Sequence, residues 1–128
     1  MPMVGRESPS DSAQLSAYCA EFTDSLELIG RRWTGAIIRS MLAGATRFGD
    51  IRAVVPSLSD RLLSERLKEL ESEGIVERVV TPSMPVRVDY SLTAKGRALE
   101  PVVRSMSEWA ENWGTKVAER PKVRRPSR

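Results

Sequence analysis

Apolar positions along this chain follow two different periods, and the change between them falls at a single glycine. Between Asp60 and Glu73, Leu63, Leu67 and Leu70 recur on one stripe at about 100° per residue, the spacing of an amphipathic helix. Beyond Gly74 the period becomes two. Val76, Arg78 and Val80 interleave with Ile75, Glu77 and Val79, and in a second run Val86, Val88, Tyr90 and Leu92 alternate with Arg87, Asp89 and Ser91. The two runs predict a two-stranded ribbon joined by Thr81-Pro82-Ser83-Met84-Pro85, whose prolines stiffen the loop and block edge pairing.

The ends of the long helix are written into the sequence. Ser59 is a good N-cap, Asp60 suits the positive end of the helix dipole, and Leu58 is placed to staple onto Leu63. Gly74 supplies a left-handed stop that brings Ile75 against Leu70, as a Schellman motif prefers. Upstream, Phe48, Ile51 and Val55 share one face of a short helix expected from about Arg47 to Val54. Pro56 ends it and biases Val55 toward an extended conformation, leaving Pro56-Ser57-Leu58-Ser59 as the turn between the helices.

Two more amphipathic stretches flank this unit. Leu99, Val102, Val103, Met106, Trp109, Ala110 and Trp113 recur at helical spacing in a helix expected from Ala94 to Trp113, with Thr93 as N-cap. Leu15, Tyr18, Cys19, Phe22, Leu26 and Ile29 do the same near the amino terminus. The fold class expected is mainly α with a small β-hairpin (α+β): a winged helix-turn-helix with flanking N- and C-terminal dimerisation helices. A flexible arm would occupy residues 1–14 and one domain residues 15–113, with the helix-turn-helix at 47–73, the wing hairpin at 75–92 and the C-terminal helix at 94–113. A basic tail of residues 114–128 would follow, adding phosphate affinity or serving only as a solubilising terminus.

The major groove of B-DNA admits one α-helix, and a second helix packed across its back fixes its angle. Opposite the leucine stripe the long helix carries Arg61, Ser64, Glu65 and Lys68. Arg61 and Ser64 lie in the N-terminal half, where base edges are usually touched, while Lys68 suits a phosphate. Glu65 is able to accept from a cytosine amine, although its charge repels phosphate. Arg47 and Arg52 would flank the duplex as backbone contacts, and Ser57 and Ser59 in the turn complete the set. Arg87 at the base of the wing either reaches a phosphate or minor groove or merely covers the core. The partner expected is therefore double-stranded promoter DNA.

The order Leu26-Glu27-Leu28-Ile29-Gly30, Trp33, Arg47-Phe48, Leu67-Lys68-Glu69-Leu70-Glu71, Gly74-Ile75-Val76 and Val86 to Thr93 before Gly96 resembles the HxlR-type winged helix-turn-helix regulators, within the MarR-like superfamily. The resemblance implies homodimers on palindromic operators that respond to electrophiles, oxidants or small molecules. Cys19-Ala20 stands where the family has Cys-Pro, and Gly30-Arg31-Arg32-Trp33 where it has Gly-Gly-Lys-Trp. The family counterpart of Cys19 acts as a sensor, whereas on its apolar stripe Cys19 also reads as a small buried hydrophobe. Its nearest charged neighbour, Glu21, does not favour a thiolate. Tyr18, Phe22, Trp33, Met106 and Trp109 offer enough contact area to line an effector pocket, or form ordinary core.

Composition adds restrictions. Of 128 residues carrying a net +3, the segment beyond Trp113 holds six basic residues against Glu119 alone, so the rest carries −2 and DNA affinity must come from local placement. With no histidine and one cysteine, a serine–histidine triad, paired metal ligands and an internal disulfide are excluded, and no glycine-rich phosphate loop is present. No cofactor, metal or enzymatic activity is expected. No stretch has the apolar length of a membrane span, so a cytoplasmic protein is expected. The function expected is a sequence-specific DNA-binding transcriptional regulator, a homodimeric repressor in its simplest form. The alternative is a winged-helix adaptor for another protein, touching nucleic acid nonspecifically through its tail.

Overall fold

The wing and the long helix are joined through one glycine, and the rest of the core is built around that joint. A computed structural model describes residues 16–114, so the expected arm at 1–14 and the tail beyond Gly114 lie outside the described residues. In chain order the elements are α1 (Ala20–Ile29), α2 (Thr34–Leu42), α3 (Phe48–Val54), α4 (Asp60–Ser72), β1 (Val76–Thr81), β2 (Arg87–Leu92), α5 (Ala94–Arg97) and α6 (Glu100–Trp113).

Helix α4 ends as its sequence prescribes. The Ser59 hydroxyl accepts from the Leu62 N–H at 3.1 Å, and Gly74 sits at φ +76°. Gly74 N–H donates to the Glu71 carbonyl at 3.0 Å and Ile75 N–H to that of Leu70 at 2.9 Å, the paired bonds of a Schellman stop. Lys95 reaches back to the Glu73 carbonyl at 2.7 Å. Leu58, Leu63, Leu67 and Leu70 are all buried, together with Ile51 and Val55 of the α3 end and Ile75, Val76 and Leu92 at the base of the hairpin.

Strands β1 and β2 pair antiparallel, Val76 opposite Leu92 and Thr81 opposite Arg87. Tyr90 N–H donates to the Thr46 carbonyl at 2.7 Å, which docks the segment before α3 onto the wing. Thr93 caps α5 through the Gly96 N–H, and Gly96 is where α5 passes so close to the Ile75 carbonyl that a side chain would collide with it.

Three differences from the sequence reading have physical causes. Helix α2 is not among the elements read above, yet it supplies Thr34, Ile37, Ile38 and Met41 to the interior at the i, i+3, i+4, i+7 spacing of a buried helix face. The C-terminal helix, expected as one run from Ala94, is broken at Ala98 and Leu99. Pro101 has no N–H to give the Arg97 carbonyl and its ring would press on it, so a new helix starts with Pro101 in the first turn. Helix α1 begins at Ala20, with Cys19 extended as N-cap, so Tyr18 and Cys19 precede the helix instead of lying on its stripe.

Candidate nucleic-acid interface

With its leucine stripe buried, α4 turns Arg61, Glu65 and Lys68 to solvent and leaves Ser64 half-buried at the edge of that face. The Arg61 side chain is 90% exposed, and its guanidinium lies 3.4 Å from Glu65 one turn on. Glu65 is thus already partnered, which lowers the cost of placing its charge near a duplex. Ser57 is exposed in the turn, and the Ser59 oxygen is committed to capping α4.

Ion pairs tie this helix to its surroundings. Arg52 of α3 pairs with Asp60 at the start of α4, at 2.7 Å across the turn. Asp89 of β2 is shared by Arg87 of the wing at 2.9 Å and Arg47 before α3 at 3.7 Å. Four of the sequence-predicted arginines are therefore held by carboxylates. Each is a poor source of stability at such exposure, but each fixes the direction of a guanidinium.

On the back of α4, Arg66 donates to the Arg32 carbonyl at 3.0 Å and to Glu69 at 3.2 Å, and Arg31 approaches the same carboxylate at 3.5 Å. The loop between α1 and α2 is thereby seated on the long helix. Trp33 closes that loop in the left-handed region at φ +76°, a conformation costing about 1–3 kcal/mol for a non-glycine residue. It packs half-buried against the core, and Arg32 sits 5.1 Å from its ring centre.

Sequence reasoning did not single out Arg78, Tyr90 or Asp89. Arg78 and Tyr90 are cross-strand partners, and with Ser64, Leu67, Lys68 and Glu71 they line a cleft of about 320 Å³ between α4 and the wing. The alternation of β1 places Arg78 on the face of Val76, a signal that was available, but the element that face would meet was not.

The effector candidates are scattered. Met106 and Trp109 line a shallow apolar depression on α6 with Pro101, Val102 and Ser105, while Tyr18 and Phe22 stand exposed at the start of α1. Trp33 lines neither. The Cys19 thiol is half-buried in the single protomer and points to Glu21 Oε1 at 3.5 Å. Among the described residues no group of three metal-ligating side chains occurs, and no helix is long and apolar enough to cross a membrane.

Comparison with known proteins gives the same picture. The transcriptional regulator YvaP of Bacillus subtilis is 48% identical over 98 residues, covering 77% of this chain and 91% of that protein. The crystal structure of quinone-bound YodB from B. subtilis superposes with a TM-score of 0.65 at 41% identity, covering 75% of this chain and all of the other. The redox regulator HypR in its reduced form gives 0.69 at 42% identity, covering 73% and 92%. Residues 28–118 match the model of the HxlR-like helix-turn-helix. A chain with this capped groove-sized helix, this wing and these relatives belongs to the HxlR-like helix-turn-helix family and is a DNA-binding transcriptional regulator.

Proposed function

We propose that the protein works as a homodimeric repressor, each protomer laying α4 in the major groove at one half of a palindromic operator. The observation that carries this reading is the division of α4: Leu63, Leu67 and Leu70 locked in the core, and Arg61, Glu65 and Lys68 facing outward beside a wing. Arg61 and Ser64 read base edges, with Glu65 accepting from a cytosine amine where one is presented. Arg47, Arg52, Lys68 and Arg87 meet phosphates, joined by the hydroxyls of Ser57 and Ser59. The reading places the protein in the cytoplasm beside the chromosome, acting by occupancy and not by catalysis.

Dimerisation is supported by apolar surface that one protomer leaves open. Phe22 and Leu26 on α1, and Val102, Met106, Trp109 and Trp113 on α6, are all more than half exposed. Burying both ridges across a two-fold axis would set the two α4 helices about 34–36 Å apart, one turn of DNA. Selection from a random duplex pool should return an inverted repeat with that spacing. On the recovered operator Arg61→Ala should cost about 1–3 kcal/mol and relax preference at one base position. If truncation after Trp113 abolishes binding while Arg61→Ala leaves it untouched, the adaptor reading replaces this one.

The relatives described as quinone-bound and as a redox regulator support an electrophile or oxidant signal here too. Cys19, at the root of α1, is the group that would take it, with Tyr18 and Phe22 near it in the chain, while Trp33, Met106 and Trp109 stand apart from it within one protomer. Treatment with diamide or a quinone should change operator affinity by about 5–150-fold in the native protein and not at all in Cys19→Ser. An equal response in both would remove Cys19 from the account.

A further inference from the structure

The cations of the DNA-facing side divide into two kinds. Arg47, Arg52, Arg61 and Arg87 each lie within 4 Å of a carboxylate, from Asp89, Asp60, Glu65 and Asp89 in turn. Lys68 and Arg78 enter no ion pair among the described residues. A paired arginine must share its charge with the carboxylate beside it when a phosphate arrives, whereas an unpaired cation has only counterions to release.

These two unpaired cations line one cleft. Lys68 projects from α4 about 20° around the helix from Arg61, on the outward face. Arg78 projects from β1, and the pair line the cleft between helix and wing, with the buried Leu67 at its floor and Ser64 and Tyr90 along its walls. Glu71, the one acidic lining residue, lies a turn beyond Lys68 toward the C-terminal end of α4, away from the half that enters the groove.

When α4 lies in a major groove and the wing extends toward the adjacent minor groove, the sugar–phosphate strand separating the two grooves runs over this cleft. We propose that Lys68 and Arg78 clamp that strand, with Arg78 as a phosphate-binding residue of the wing and the Tyr90 hydroxyl as a further donor. The inference rests on the α4-in-groove reading above. It assigns Arg78 to affinity and salt dependence, and gives it no part in sequence choice.

The test uses the full chain and the operator selected by the native protein, titrated from low to high salt alongside a scrambled duplex. Arg78→Gln should weaken both duplexes by the same factor and reduce the slope of log affinity against log salt by about one per half-site. Arg78→Lys, which keeps the charge, should keep the slope and so separates charge from folding. An unchanged slope in Arg78→Gln, or a loss confined to the operator, overturns the inference. If the native protein selects no sequence at all, the α4-in-groove reading fails first, and the two failures are distinguishable.

Discussion

Asp89 and Glu69 are each shared by two arginines, but in different parts of the molecule. Asp89 joins Arg87 on the wing to Arg47 before α3, where a duplex would lie, and Glu69 joins Arg66 and Arg31 on the back of α4. Both carboxylates are only partly exposed, and each has one oxygen hydrogen-bonded to an arginine and the other without a hydrogen bond. Removing the Asp89 charge frees two arginines and deletes a group that repels phosphate. Asp89→Asn should therefore bind scrambled DNA more tightly than the native protein while losing discrimination, as measured by the ratio of operator to scrambled affinity. Glu69→Gln should leave that ratio alone and instead cost about 1–3 kcal/mol in denaturant unfolding, because Arg66, still bonded to the Arg32 carbonyl, loses the carboxylate that balances its largely buried charge. A fall in discrimination with Glu69→Gln and none with Asp89→Asn would reverse these roles.

Among the elements, α4 was legible in the sequence because its signals are local. A serine cap, a dipole-matched aspartate and a glycine stop act on residues within one turn, and all three operate as written. The two ends should fail by different mechanisms. Ser59→Ala loses the bond to the Leu62 N–H and should cost about 1 kcal/mol. Gly74→Ala meets no steric obstacle, since nothing lies near its missing side chain, yet the left-handed backbone should cost about 1–2 kcal/mol. Chemical denaturation of the two variants and their double mutant checks both values, and far-apart ends should give additive losses. The other elements were less legible for reasons that are equally physical. The apolar run of α2 is short, and Trp33 opens it in a backbone conformation that helix periodicity does not anticipate. The break before α6 was announced by Pro101, but the continuous apolar spacing from Leu99 to Trp113 masked it. The α4–wing cleft and the Asp89 link arise only when β2 is folded against the start of α3, so neither is written in any one segment.

At the scale of the whole molecule, α6 is divided much as α4 is. Leu99 and Val103 pack against the core and Arg39 donates to Ser107 at 3.1 Å, which settles how α6 lies on its own protomer. The opposite side leaves Val102, Met106, Trp109 and Trp113 facing outward, with Trp109 58% and Trp113 76% exposed. A contiguous apolar ridge of this kind is a poor surface for a solitary soluble domain and a good one for a second copy. Because the ridge plays no part in the core of its own protomer, a charge placed on it should separate protomers without unfolding them. Trp109→Glu should sediment as a monomer where the native protein sediments as a dimer, and its melting temperature should lose the dependence on protein concentration that a dimer shows. Operator binding should then fall by about 10²–10⁴-fold, since each half-site must be captured independently, while affinity for an isolated half-site stays near native. A Trp109→Glu protein that remains dimeric and binds the full operator unchanged would place the two-fold axis elsewhere and leave the α6 ridge without a role in setting the spacing of the two reading helices.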